Sequence, residues 1–96
     1  MSLCEVSANG VVTPIVSKHR GKRFLSPNDL VISPDGLIYF TDPRYIGGEP
    51  EGQKDMCVYS YDRARKKLRR ILGPKQIEKP NGVHLSPDGK TLYVAE

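Results

Sequence analysis

Two asparagines and two aspartates stand where side chains could act on a bound ion or on a water. Asn28 lies in Pro27-Asn28-Asp29-Leu30 and Asn81 in Pro80-Asn81-Gly82, each just ahead of a short apolar run. Asp42 closes the run Tyr39-Phe40-Thr41-Asp42. An asparagine offers a neutral carbonyl oxygen, which suits a hard divalent cation such as calcium. A cation left with residual positive charge polarises a carbonyl and acidifies a bound water. Attack by that water needs a general base within hydrogen-bond reach. Asn28 and Asn81 could serve as metal ligands of this kind, and Asp29 or Asp42 could be asked to serve as the catalytic carboxylate. A plainer reading stands beside this one. Pro-Asn ahead of a strand is a common turn in which the Asn side chain bonds its own backbone. Asp29 would then open a turn and Asp42 would cap the loop that follows. Asp35 and Asp88 sit inside Ser-Pro-Asp-Gly and read as structural turn residues, and neither His19 nor His84 has a partner at ligand spacing.

The elements that must position these residues repeat. Asn28 and Asn81 are 53 residues apart, and so are the two Ser-Pro-Asp-Gly turns at Ser33 and Ser86. A period of about 50 residues marks a repeat array. Eight short strands are expected. Leu3–Ser7 and Val11–Val16 flank an Asn9-Gly10 hairpin turn, and Pro14 places the second of these on a sheet edge. Ser17–Arg23 is a polar, basic connector. Leu30–Ser33 and Leu37–Thr41 flank Pro34-Asp35-Gly36. Pro43–Asp55, with two prolines and three glycines, reads as a long irregular loop of the kind that is often functional. Cys57–Tyr61 and Lys67–Leu72 follow. Propensity alone would allow a helix over Arg63–Leu72, but its repeat counterpart Val11–Val16 is β-branched and carries a proline, so a strand is expected. Gly82–Ser86 and Thr91–Ala95 complete the set, with Lys90 as a one-residue insertion that aligns Glu96 with Asp42. The chain is thus all-β. Residues 3–16 form an outer hairpin, 28–72 hold a complete four-stranded unit, and 81–96 form an inner hairpin. Half, one and half make about two four-stranded blades of a β-propeller.

The bulk numbers agree with a segment of this kind. Ninety-six residues make one domain at most, and 7% aromatic content with no Trp leaves a modest core. The net charge of +4 is local. Arg63, Arg65, Lys66, Lys67, Arg69 and Arg70 hold six of the fifteen basic residues, and the other nine are outnumbered by eleven Asp and Glu. That run has no interleaved aromatics to stack bases and lies on outer strands. It reads as a solvated rim, so no nucleic-acid partner is expected. Cys4 and Cys57 are 53 apart at equivalent repeat positions, and read as small buried apolar residues ahead of a disulfide or a reactive thiol. They do not specify a compartment. No apolar run reaches the length of a membrane span, and no membrane partner is expected. Met1–Glu5 lacks the basic and apolar regions of a signal peptide.

Pro27-Asn28-Asp29-Leu30 with Tyr39-Phe40-Thr41-Asp42-Pro43, followed by Pro80-Asn81-Gly82 with Leu92-Tyr93-Val94-Ala95, resembles the gluconolactonase / senescence-marker-protein / luciferin-regenerating family. The resemblance runs from Leu3 onward. It implies a six-bladed propeller with one divalent metal, usually calcium, in its central channel, hydrolysing sugar lactones or related esters. By motif position Asn81 resembles a metal-ligating Asn of that family. Asn28 resembles the Asn at the preceding blade, which contacts metal or substrate. The family's N-terminal Glu ligand and later-blade Asp, its catalytic base, have no counterpart in this chain. Where a well-characterised member of the family carries an Arg two residues before the first Asn, this chain has Ser26.

Two functions compete on these residues. One is part of a calcium-dependent sugar-lactone hydrolase acting on a small-molecule lactone or ester. The other is a non-catalytic propeller scaffold whose Asn and Asp residues only form turns. Two blades cannot close a ring, and each buries its faces only against neighbours. Closure would come from other blades of a longer chain, from other chains, or from identical copies. Three copies of two blades, a homotrimer, would make six, with one copy's inner hairpin completing its neighbour's outer hairpin.

Overall fold

The computed structural model describes residues 1–45 and 47–96. Its strands are β1 (Leu3–Val6), β2 (Val12–Val16), β3 (Lys18–His19), β4 (Lys22–Arg23), β5 (Leu30–Ile32), β6 (Leu37–Asp42), β7 (Cys57–Asp62), β8 (Lys67–Leu72), β9 (Val83–Leu85) and β10 (Leu92–Val94). The sheet β5-β6-β7-β8 is flanked in sequence by the pairs β1-β2, β3-β4 and β9-β10, every pairing antiparallel. One full blade thus lies between two half-blades, as in a propeller segment.

One local device closes three of the hairpins. In Ser7-Ala8-Asn9-Gly10, Ser33-Pro34-Asp35-Gly36 and Ser86-Pro87-Asp88-Gly89, the Gly N–H donates to the Ser carbonyl at 2.9, 2.9 and 2.8 Å. The Ser hydroxyl donates to the Asx side chain and accepts the first N–H of the returning strand, from Val11, Leu37 or Thr91. Each glycine takes a left-handed φ, of 84°, 89° and 71°, which costs a residue without Cβ almost nothing.

The core joins the first half-blade to the full one. Leu3 from β1 and Phe24 from the chain after β4 pack with Ile38, Phe40, Cys57, Tyr59 and Tyr61, with Ile15, Val16 and Leu68 at the margin. Phe40 stacks on Tyr59 at 5.4 Å, and Phe24 meets Phe40 edge-on at 5.2 Å. Burying each such side chain contributes about 1.5–3 kcal/mol.

Several expectations shift. The Ser17–Arg23 connector contains a further hairpin, β3-β4, turned at Arg20 (φ 50°) and Gly21 (φ 80°). Positive φ at both central residues is a primed turn, which matches the twist of a two-residue hairpin. β5 stops at Ile32, because Ser33 is spent on the turn, and β6 runs on to include Asp42. Lys67–Leu72 is the strand β8, as its repeat counterpart implied. Of the two equivalent cysteines Cys57 is buried, but Cys4 is exposed, because it lies on a two-stranded ribbon with no further sheet over it. Tyr59 and Tyr61 are core residues, whereas Tyr93 is exposed. The long loop is described except at Ile46, which lies outside the described residues.

Candidate metal and catalytic site

Asn28 and Asn81 stand at equivalent places in space as well as in sequence. The Asn28 N–H donates to the Thr41 carbonyl at 3.0 Å, and the Asn81 N–H donates to the Ala95 carbonyl at 2.8 Å. The Thr41 N–H returns to the Asp29 carbonyl at 3.0 Å, as the Ala95 N–H returns to the Gly82 carbonyl at 2.8 Å. Each Asn therefore sits where the chain begins to pair as the inner strand of its hairpin. Both residues are exposed. Among the described residues neither amide side chain makes a hydrogen bond, so both carbonyl oxygens remain available to a ligand.

The two positions are tied together. The Thr41 hydroxyl donates to the Asn81 carbonyl at 2.6 Å and accepts the Asp29 N–H at 3.1 Å. The Asp29 carboxylate accepts the Val83 N–H at 2.9 Å through Oδ2 and its neighbour Leu30 N–H at 3.0 Å through Oδ1. Thr41 is fully buried, so these bonds are shielded from competing water. Thr41 and Asp29 form a staple between the β5-β6 and β9-β10 hairpins.

Asp42 lies apart from this group. It is fully buried, and its two oxygens accept the Leu25 N–H at 2.9 Å and the Ser26 N–H at 2.7 Å. Burial pushes its carboxyl up to about 6, opposed by those two N–H groups and assisted by the nearby Glu49 carboxylate. The repeat has a matching clip. Glu96 accepts the Glu78 N–H at 2.8 Å, and Glu78 lies 53 residues after Leu25. The two clips hold the chain that leads into each Asn.

The structure brings Asn28, Asp29 and Asn81 to one neighbourhood through Thr41, and it places Asp42 behind them in the interior. His84 lies in β9 and His19 in β3, where the imidazole packs on Tyr59 at 5.2 Å. Among the described residues no three His, Cys, Asp or Glu side chains gather as a metal-binding group. Thr41 carried no sequence signal as a polar residue in an apolar run. Its repeat partner, Ala95, has no hydroxyl, so the repeat did not point to the cross-link either.

An all-β propeller segment with two equivalent Asn-bearing blade starts defines the class of protein. The SMP-30/gluconolactonase/LRE-like region matches residues 2–96, and the chain belongs to that family. It is similar to a gluconolactonase of Xanthomonas campestris, with a TM-score of 0.87 and 32% identity over 99% of this chain and 33% of that one. It is 40% identical over 83 residues to gluconolactonase of Zymomonas mobilis, covering 84% of this chain and 23% of that protein. It is 38% identical over 92 residues to adipocyte plasma membrane-associated protein of Rattus norvegicus, covering 88% of this chain and 23% of that protein. The chain thus spans about a quarter of the length of these curated relatives.

Proposed function

We propose that this chain contributes two blades' worth of strands to a calcium-dependent sugar-lactone hydrolase, with Asn28 and Asn81 as neutral oxygen ligands of the metal. The observation that carries the reading is the pair of exposed Asn amides, held by equivalent backbone bonds, joined through Thr41 and free of internal partners. Their donor type fits a hard divalent cation. The bound cation would supply polarisation of the lactone carbonyl and a more acidic water. Asn28 and Asn81 hold and orient. Asp29 is this chain's candidate base, since each of its oxygens accepts one N–H and keeps a lone pair. Asp42 positions the Leu25–Ser26 lead into Asn28 rather than meeting substrate. Carboxylates from other blades complete the ligand set, and those blades cover the free edges of β1 and β10, whether from the same polypeptide or from further copies in a trimer.

Calorimetric calcium titration of the intact protein, beside a lactone-hydrolysis assay, tests this. Asn28→Ala and Asn81→Ala are each expected to weaken calcium binding by about tenfold or more, with lactone turnover falling in parallel. Absence of saturable calcium binding would overturn the proposal.

The scaffold reading has one observation in its favour. All four oxygens of Asp29 and Asp42 accept backbone N–H groups, which is what turn and clip residues do. It predicts no calcium heat, and wild-type melting temperatures for both Asn variants.

A further inference from the structure

The hairpin β3-β4 and the outer strand β8 enclose an open groove of about 530 Å³, lined by Lys18, His19, Arg20, Leu68, Arg69 and Arg70. Nothing in the lactone chemistry uses it. The basic run that reads in sequence as a solvated rim supplies one wall, and the hairpin that the sequence did not reveal supplies the other. The charges are poorly compensated. Among the described residues Lys18, Arg20 and Arg69 have no ion-pair partner, and only Arg70 faces a carboxylate, Asp55 at 3.6 Å. The far side of the same hairpin has a second depression, lined by Lys22 and Arg23 together with Glu51.

The walls are fixed rather than loose. The Gln53 amide donates to the His19 and Lys22 carbonyls, both at 2.7 Å, and its N–H donates to the Arg23 carbonyl at 2.8 Å. His19 packs on the buried Tyr59 ring. Burial, and then the positive charges of Arg20 and Arg70 beside it, hold its imidazole below the usual range. Like charges gathered on a rigid frame repel one another unless an anion lies between them. Guanidinium forks match the oxygens of phosphate groups two at a time.

We propose that this groove binds a small soluble polyanion carrying two or more phosphate groups, gripped by Arg20 and Lys18 on one side and Arg69 and Arg70 on the other. A chain of phosphates offers more oxygens and more charge to cations on two walls than a single phosphate does, so binding is expected to favour the longer anion.

The test is calorimetric titration of the intact protein with tripolyphosphate and, separately, with orthophosphate at the same ionic strength. Tripolyphosphate is expected to bind saturably, at least about tenfold more tightly than orthophosphate, and to weaken as salt rises. Arg20→Asn removes one cation and leaves Asn-Gly, the preferred pair for a primed turn with positive φ at both residues. It is expected to melt no lower than wild type and yet to lose about tenfold or more in tripolyphosphate affinity. Arg69→Gln, on the opposite wall, is expected to show the same loss. Absence of saturable binding at low salt overturns the assignment, as does undiminished binding in the Arg20→Asn, Arg69→Gln double variant. Binding only to vesicles containing phosphatidylinositol bisphosphate, with none to free tripolyphosphate, also overturns it.

Discussion

Asp42 ends β6 with both carboxyl oxygens inside the fold, and its environment sets a pH dependence of known sign. Its carboxyl rises from 3.8 to about 6 on folding, because burial outweighs the two N–H groups that favour the charged form. A raised folded value means that the native state holds a proton the unfolded chain has released. That contribution to stability is complete below pH 3.8 and is lost as pH climbs through about 6. Urea midpoints followed from pH 4 to pH 7 should therefore show a falling component in wild type that Asp42→Asn lacks. An identical pH profile for the two proteins would refute it. Removing the carboxyl altogether leaves two backbone N–H groups without an acceptor, so Asp42→Ala should cost about 2–5 kcal/mol. The equivalent Glu96→Ala, at an exposed position with one such bond, should cost about 1 kcal/mol or less. The sequence placed Asp42 at the end of its strand and aligned it with Glu96. It could not show which backbone groups the carboxyl would reach, because Leu25 and Ser26 lie 17 and 16 residues away along the chain.

At the scale of elements, the hairpins whose turns lie between apolar runs were readable, and β3-β4, whose Arg20-Gly21 turn lies between basic residues, was not. Asn9-Gly10 and the two Ser-Pro-Asp-Gly turns state their backbone conformation in their residue types. β3 and β4 are two residues each and carry Lys, His, Lys and Arg, with no apolar alternation to mark them. Gly52 and Gln53 from the following loop lie against them, a contact that no local pattern encodes. Gly52 shows how close that approach is. A Cβ there would stand 2.5 Å from the Arg23 carbonyl oxygen, and the neighbouring backbone cannot move aside cheaply. Gly52→Ala should destabilise by about 1–3 kcal/mol and speed hydrogen exchange of the Phe24 amide, which donates to the Ser17 carbonyl at 3.2 Å. Wild-type stability and exchange would show that the loop does not press on the hairpin. β8 is the converse case. Its residues favour a helix, and its repeat counterpart correctly outvoted propensity, since strand pairing with β7 is a tertiary fact.

In the whole molecule, blades must be joined as well as built. β5 exposes Leu30 and Ile32, and β10 exposes Tyr93, so the segment presents apolar surface that a ring would cover. The joint between the full blade and the second half-blade carries the polar staple of Thr41 and Asp29, which ties together the two strand starts that bear the Asn residues. Period and motifs made the blades and the Asn pair visible in the sequence, but the staple depends on contacts across 40 and 54 residues. If the staple sets the geometry of the pair, its loss should be felt at both hairpins. Asp29→Ala removes the acceptor of the buried Val83 N–H and should cost about 1–3 kcal/mol. Thr41→Val removes the donor to the Asn81 carbonyl at similar volume and should cost a comparable amount. Because both belong to one network, the double variant should lose less than the two single losses added together. Exchange of the Val83 amide should rise in both variants, while the Leu37 amide, bonded to Ser33 within its own turn, keeps its wild-type protection. Additive losses would mean that the two bonds act independently rather than as one staple, and protection at Val83 that survives in Thr41→Val would mean that the Thr41 bond does not hold this joint. The Asn pair would then be free to shift with whatever blades close around it.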